Sequence, residues 1–210
     1  MVNSLKELIG KAELAHLQDP EERFTISGVG WQIYEGLLTK LADSSQYRIT
    51  YLDGILELVS PSFRHEKLKK RLATLIEFYF LGKGIEYVPM GSPTLKNQLT
   101  KAGVEPDECY CIGEEKEIPD LVIEVVITSG SINKLQACSC LGVAEVWFWE
   151  RNGIKIYHLR EATPKTFLVN HGYEQIMSSK FLPDLNISLL ERCVLISHQN
   201  QAIAQFEQGI

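Results

Sequence analysis

Four acidic side chains sit where strand-forming sequence is otherwise apolar. Glu124 lies in the middle of LVIEVV, Asp120 leads into the same run, Asp107 stands in VEPDECYCI, and Glu57 falls within ILELV. An isolated carboxylate costs several kcal/mol to bury, so such a residue is normally exposed, paired, neutralised or bound to a metal. Alternate residues of a strand share a face, which puts Asp120, Val122, Glu124 and Val126 on one side. Asp120 and Glu124 are then roughly 13 Å apart and cannot easily share one metal ion. Asp107, on the neighbouring strand, comes within about 5 Å of Glu124 if the register allows it. Two carboxylates at that distance repel unless a cation lies between them. Mg²⁺ is commonly held by one or two protein carboxylates plus waters and phosphate oxygens. Asp107 and Glu124 are therefore a candidate metal pair. The alternatives are that Glu124 pairs with a buried Lys or Arg, or faces solvent on a one-sided sheet.

Other residues offer weaker chemistry. Lys134 falls ten residues beyond Glu124, in the first turn of a helix, where a lone lysine is usually just exposed. His65 projects toward the apolar side of another helix in its first turn, while Lys67, Lys70 and Arg71 point away from that side. This basic cluster is either a solvated face or a contact to a DNA backbone. The five cysteines form Cys109-Tyr-Cys111, Cys138-Ser-Cys140 and a lone Cys193. Structural zinc sites usually use a wider C-x₂₋₄-C spacing, and an odd number in a chain of this size reads as reduced thiols.

The elements that must position these groups follow from periodicity and turn chemistry. Residues 1–18 read as a short helix that ends at Asp19-Pro20. Trp31 to Leu41 carries Ile33, Tyr34, Leu37, Leu38 and Leu41 at helical spacing. YRITYLDGILELV switches to strand chemistry, with Asp53-Gly54 as a tight hairpin turn. Ser62 is a good N-cap for FRHEKLKKRLATLIEFYF, whose Leu68, Leu72, Leu75, Ile76, Tyr79 and Phe80 form the clearest helical stripe in the chain. A strand breaks at Pro89 and resumes through Thr94 and Leu95. Two strands bearing Asp107 and then Asp120 and Glu124 come next. A helix over about Asn133 to Leu141 is stopped by Gly142, and the strand EVWFW enters a hairpin at Asn152-Gly153. Strand, helix, strand in that order gives one parallel crossover in an otherwise hairpin-rich sheet, hence an α/β or α+β sheet flanked by helices. The chain ends with a strand-like YEQIM, a turn at Leu182-Pro183-Asp184, and helices.

With 210 residues, 45% of them hydrophobic, the chain suits one domain with a real core. No apolar run approaches the roughly 20 residues of a membrane span, and the first residues do not resemble a secretory signal, so a cytoplasmic protein without a membrane partner is expected. A net charge of −6 argues against a basic coat for sequence-independent nucleic-acid binding but leaves room for a local basic face.

The blocks YLDGILELVSPSFRHE, GSPTLK, GVEPDECYCIG, IPDLVIEVVITSGSINKL and LGVAEVWFWE, in this order, resemble the Uma-two family of bacterial restriction-endonuclease-like proteins, within the PD-(D/E)XK nuclease superfamily. The likeness runs from about Phe24 to the C-terminus, giving a helical segment over residues 1–23 and a single domain over 24–210. It implies a restriction-endonuclease-like core, a mixed sheet with helices on either side. Pro106-Asp107 matches the PD element and Glu124 the second acid. Val126 stands where the motif has its Lys; the family pattern also has a Lys on the following helix, at the position of Lys134. Glu57 matches an acid on the preceding hairpin. The implied activity is Mg²⁺- or Mn²⁺-assisted hydrolysis of DNA phosphodiester bonds. In it Asp107 and Glu124 hold the metal, Lys134 acts on the attacking water or the developing charge, Glu57 supports the site, and His65 is at best an outer contact. Pro119-Asp120 is an alternative PD element. A homodimer is plausible for cutting both strands. Two other readings remain open: a catalytically silent nuclease fold that binds DNA or regulates, and a scaffold for protein partners.

Overall fold

The computed structural model describes residues 21–42, 46–127, 132–160 and 169–210, so the helix expected over residues 1–18 lies outside the described residues. The first half runs β1 (Glu22–Ser27), α1 (Trp31–Leu41), β2 (Arg48–Leu52), β3 (Ile55–Ser60), α2 (Phe63–Lys83), β4 (Tyr87–Pro89), β5 (Leu95–Asn97) and β6 (Ala102–Val104). The second half runs β7 (Glu108–Ile112), β8 (Leu121–Val126), α3 (Lys134–Leu141), β9 (Glu145–Glu150), β10 (Gly153–Leu159), β11 (Tyr173–Ile176), α4 (Ile187–Val194) and α5 (Gln199–Glu207).

Local chemistry sets most of these boundaries. Asp53 and Gly54 adopt φ of 42° and 88°, as a two-residue hairpin turn between β2 and β3 requires. The Ser62 hydroxyl accepts the His65 N–H at 3.2 Å and opens α2, and Gly84, at φ 63°, closes it. Asn133 caps α3 through the Gln136 N–H at 3.2 Å.

The strands form two sheets. One has five strands in the order β1-β3-β2-β6-β5, all antiparallel; the other has six in the order β11-β10-β9-β8-β7-β4. In the six-stranded sheet β8 and β9 are parallel, joined by the crossover through α3. Period-2 alternation along β8 divides its side chains between the two faces. Leu121, Ile123 and Val125 pack with Leu72, Ile76 and Phe80 of α2, Trp147 and Trp149 of β9, and Leu190 and Phe206 of the last two helices. Val122 packs on the other face with Leu135, Cys138 and Leu141 of α3. The architecture is thus α+β, a mixed sheet flanked by helices, as a restriction-endonuclease-like core demands. No helix among the described residues is long and apolar enough to cross a membrane.

Several sequence expectations shift. β1 was not anticipated, and it begins at Glu22, inside the segment assigned to residues 1–23. Besides the central mixed sheet there is a second, antiparallel one, and the chain passes between them at Pro106-Asp107, where proline has no N–H to continue the ladder. Asp107 and Asp120 accordingly stand just before β7 and β8 instead of on them. The β9–β10 turn is Arg151-Asn152, at φ 51° and 66°, one residue earlier than Asn152-Gly153; Gly153 already pairs with Glu150. Arg71 does not point to solvent: it is buried and donates to the carbonyls of Ile196 and Ser197. All five cysteines are free, and Cys138 and Cys140 lie on helix α3, within the helix read from the sequence over Asn133 to Leu141.

Candidate active site

The register of β7 against β8 pairs Glu108 with Ile123 and Cys109 with Val122, so one step further Asp107 stands opposite Glu124. The Asp107 side chain is tied in place. Its Oδ2 accepts the Val125 N–H at 2.7 Å, its Oδ1 meets Nε2 of His65 at 2.9 Å, and its own carbonyl accepts the Ser92 hydroxyl at 2.7 Å. The other ring nitrogen of His65, Nδ1, lies 3.0 Å from Oε1 of Glu21. An imidazole flanked by carboxylates on both nitrogens can donate to both only as the cation. Burial disfavours that charge, but the hydrogen bonds to Asp107 and Glu21 outweigh it and push the His65 pKa up to about 9. Burial also opposes ionisation of Asp107, yet His65 and Lys134 hold its carboxyl below the usual range.

Glu124 is 0% exposed. It lies on the β8 face that α3 covers, and α3 begins with Lys134. Lys134 Nζ pairs with Glu124 Oε2, while Oε1, equally buried, has no hydrogen-bond partner among the described residues. Burial drives the Glu124 pKa up to about 7, with Lys134 opposing the rise and Asp107 adding to it. Lys134 loses hydration too, but the charges of Glu124 and Asp107 prevail and raise it to about 12. The expectation of a merely exposed lysine fails: its side chain is 21% exposed and turned onto the acid.

Beside this pair lies a cavity of about 280 Å³, lined by Arg23, Glu57, Val126, Asn133, Lys134 and Glu150 among others. Glu57 is buried and accepts from Arg23 Nη1 at 2.5 Å. Thr25 stands opposite Glu57 across β1 and β3, and Arg23, two residues away on the same face, reaches diagonally. Val126, the motif-lysine position, lines the same cavity as Lys134.

The structure therefore brings Asp107, Glu124 and Lys134 into direct proximity and puts Glu57 on the wall of the adjoining cavity. It leaves Asp120 elsewhere, with Oδ2 on the Ile112 N–H at 2.8 Å and on Lys116 at 2.6 Å. Sequence reasoning missed Glu21 and Arg23. The alternation of Arg23, Thr25 and Ser27 with Phe24 and Ile26 was the available signal for β1, which holds Arg23 and follows Glu21. His65 is closer than expected, in direct contact with Asp107.

Among the described residues no group of three or more His, Cys, Asp and Glu side chains is arranged to hold a metal ion. The donor set still suits a hard cation. Asp107 stands opposite Glu124 across the two strands, and Glu124 Oε1 is a buried carboxylate oxygen with no hydrogen-bond partner among the described residues.

No curated protein matches the chain. A model of the Uma2 family, described as "Putative restriction endonuclease", matches residues 31–190, well over half of the 210, and the chain belongs to that family.

Proposed function

We propose that the protein is a metal-dependent endonuclease that hydrolyses DNA phosphodiester bonds, with Asp107 and Glu124 holding Mg²⁺ or Mn²⁺. The observation that carries this reading is Glu124 Oε1, a fully buried carboxylate oxygen that accepts no hydrogen bond among the described residues although it lies beside a second carboxylate. A fold pays for such a group only where something else completes it. When bound, the ion polarises a phosphate oxygen and lowers the pKa of an attacking water.

The remaining work falls to the chain. His65 and the Val125 N–H fix both oxygens of Asp107, so the acid presents its remaining lone pairs in one orientation. Lys134, raised to about 12, keeps its proton on Nζ. It therefore acts as a fixed positive charge for the negative charge that builds on the phosphate, and not as the base. Glu57 holds Arg23 at the cavity wall, where a guanidinium suits a phosphate oxygen.

Two observations favour a silent fold instead: both Asp107 oxygens and one Glu124 oxygen already have partners, and Val126 leaves no lysine on β8 itself. Nicking of supercoiled DNA with Mg²⁺ or Mn²⁺ decides between the two. Activity that disappears in both Asp107→Asn and Glu124→Gln supports the nuclease; no nicking by the folded wild type removes it.

A further inference from the structure

Beyond the acidic pair the surface changes sign. The cavity at Glu57 and Lys134 shares Val126 and Glu150 with a second hollow of about 220 Å³, which adds Arg64, Arg151 and Asn152. That hollow shares Arg64, Leu68 and Asn152 with a third, of about 160 Å³, which adds Lys67 and Arg71. Through these shared residues the three hollows succeed one another from Lys134 on the α3 side of the sheet, past the C-terminal ends of β8 and β9, to the first turns of α2 and the end of α4 on the other side, a groove in three parts. Arg64, Lys67 and Arg151 are exposed along it. Arg71 holds the far wall by its bonds to Ile196 and Ser197. The two acids that line it are paired, Glu57 with Arg23 and Glu150 with Lys155 at 2.6 Å.

A local row of cations on a chain of net charge −6 is not what bulk composition would supply. It matches a polyanion laid along the groove, because phosphate contacts by Arg and Lys position a strand without reading its sequence.

We propose that this groove seats the DNA backbone flanking the cut phosphate, with Arg64, Lys67 and Arg151 as its phosphate-positioning residues. The inference rests on the endonuclease reading only in taking the seated strand to be the substrate of that site.

Binding, not cleavage, tests it. The affinity of the full chain for a fluorescein-labelled DNA duplex is measured by anisotropy in EDTA over a range of salt concentrations. Wild type is compared with Arg151→Gln, with Arg64→Gln/Arg151→Gln, and with a charge-matched control, Lys40→Gln/Lys83→Gln, at exposed positions off the groove. Each variant is first checked for an unchanged thermal melt. The groove double should lose about tenfold in affinity, and its log–log salt slope should fall by about two. Arg151→Gln alone should lower the slope by about one, and the control should leave both quantities nearly unaltered. Equal losses in the two doubles, no loss in either, or no measurable binding by the wild type overturns the inference. Wild type that binds through the groove but does not nick DNA keeps the inference and removes the nuclease. Wild type that nicks while both doubles bind alike does the reverse.

Discussion

Two carboxylates, Glu124 on β8 and Glu145 on β9, occupy adjacent parallel strands, and both are 0% exposed. Their surroundings differ in kind. Glu145 Oε1 accepts the Trp147 indole N–H at 2.7 Å, and Oε2 accepts the Lys180 N–H at 2.9 Å, with His158 at 3.5 Å. Each oxygen has a neutral donor, and one of them ties the segment after β11 to the sheet. Glu124 has one oxygen on a lysine, the other on no group among the described residues, and a second acid opposite. Burial of an acid is therefore not in itself a mark of chemistry; incomplete satisfaction beside a like charge is. Asp120 falls with Glu145, since a backbone N–H and Lys116 account for it.

The comparison breaks most visibly in activity. Glu124→Gln should lower metal-dependent DNA nicking by about 10³-fold, as removal of a group aimed at developing charge does, without lowering the melting temperature. The side chain's pKa is raised toward 7, so below that pH the fold already favours the neutral form that glutamine mimics. Glutamine should thus gain stability relative to wild type as the pH rises from about 4.5 through about 7. Loss of stability together with activity would put Glu124 in the same class as Glu145.

His65 supplies a pH test of the same corner. Its folded pKa of about 9 lies above the usual 6.5, so its stabilisation is fully present below about pH 6.5 and is lost as the pH rises through 9. The stability difference between wild type and His65→Gln, read from denaturant melts, should shrink by on the order of 3 kcal/mol across that window. A constant difference would mean that the imidazole is neutral between Glu21 and Asp107.

Lys134→Ala should cost about 10²-fold in nicking. Returning a lysine to the strand, as Lys134→Ala/Val126→Lys, should recover part of it, because both positions line one cavity. No recovery would mean that the helix start is the required origin of the charge.

The smallest effect is the control. Glu145→Gln exchanges one acceptor for a donor against the Lys180 N–H or the Trp147 indole and should destabilise by about 1–3 kcal/mol. Nicking by the molecules that remain folded should be unchanged.

How much of this could be read in the sequence depended on how local the cause was. Helices α1 and α2 and the Asp53-Gly54 hairpin arise from periodicity, a cap and a turn dipeptide, and they stand where those signals put them. The β9–β10 turn slipped by one residue because Asn-Gly is the commoner pair for φ > 0, whereas Arg151 takes the left-handed position here. Arg71 looked like part of a solvated face because its acceptors, the Ile196 and Ser197 carbonyls, come from the far end of the chain. The juxtaposition of Asp107 and Glu124 was legible from alternation and one assumed register. The Glu21–His65–Asp107 chain was not, since it joins residues 44 and 42 positions apart and no periodicity encodes such a contact. Nor did spacing distinguish Glu124 from the satisfied acids, because hydrogen-bond satisfaction is a property of the assembled fold.

The central claim, that the open oxygen of Glu124 completes a metal site, is tested most directly by Mn²⁺ titration of the full chain, followed by electron paramagnetic resonance. Wild type and Glu145→Gln should bind the ion alike, and Glu124→Gln and Asp107→Asn should lose it. No Mn²⁺ binding by the wild type, or binding that survives in Glu124→Gln, would contradict the account.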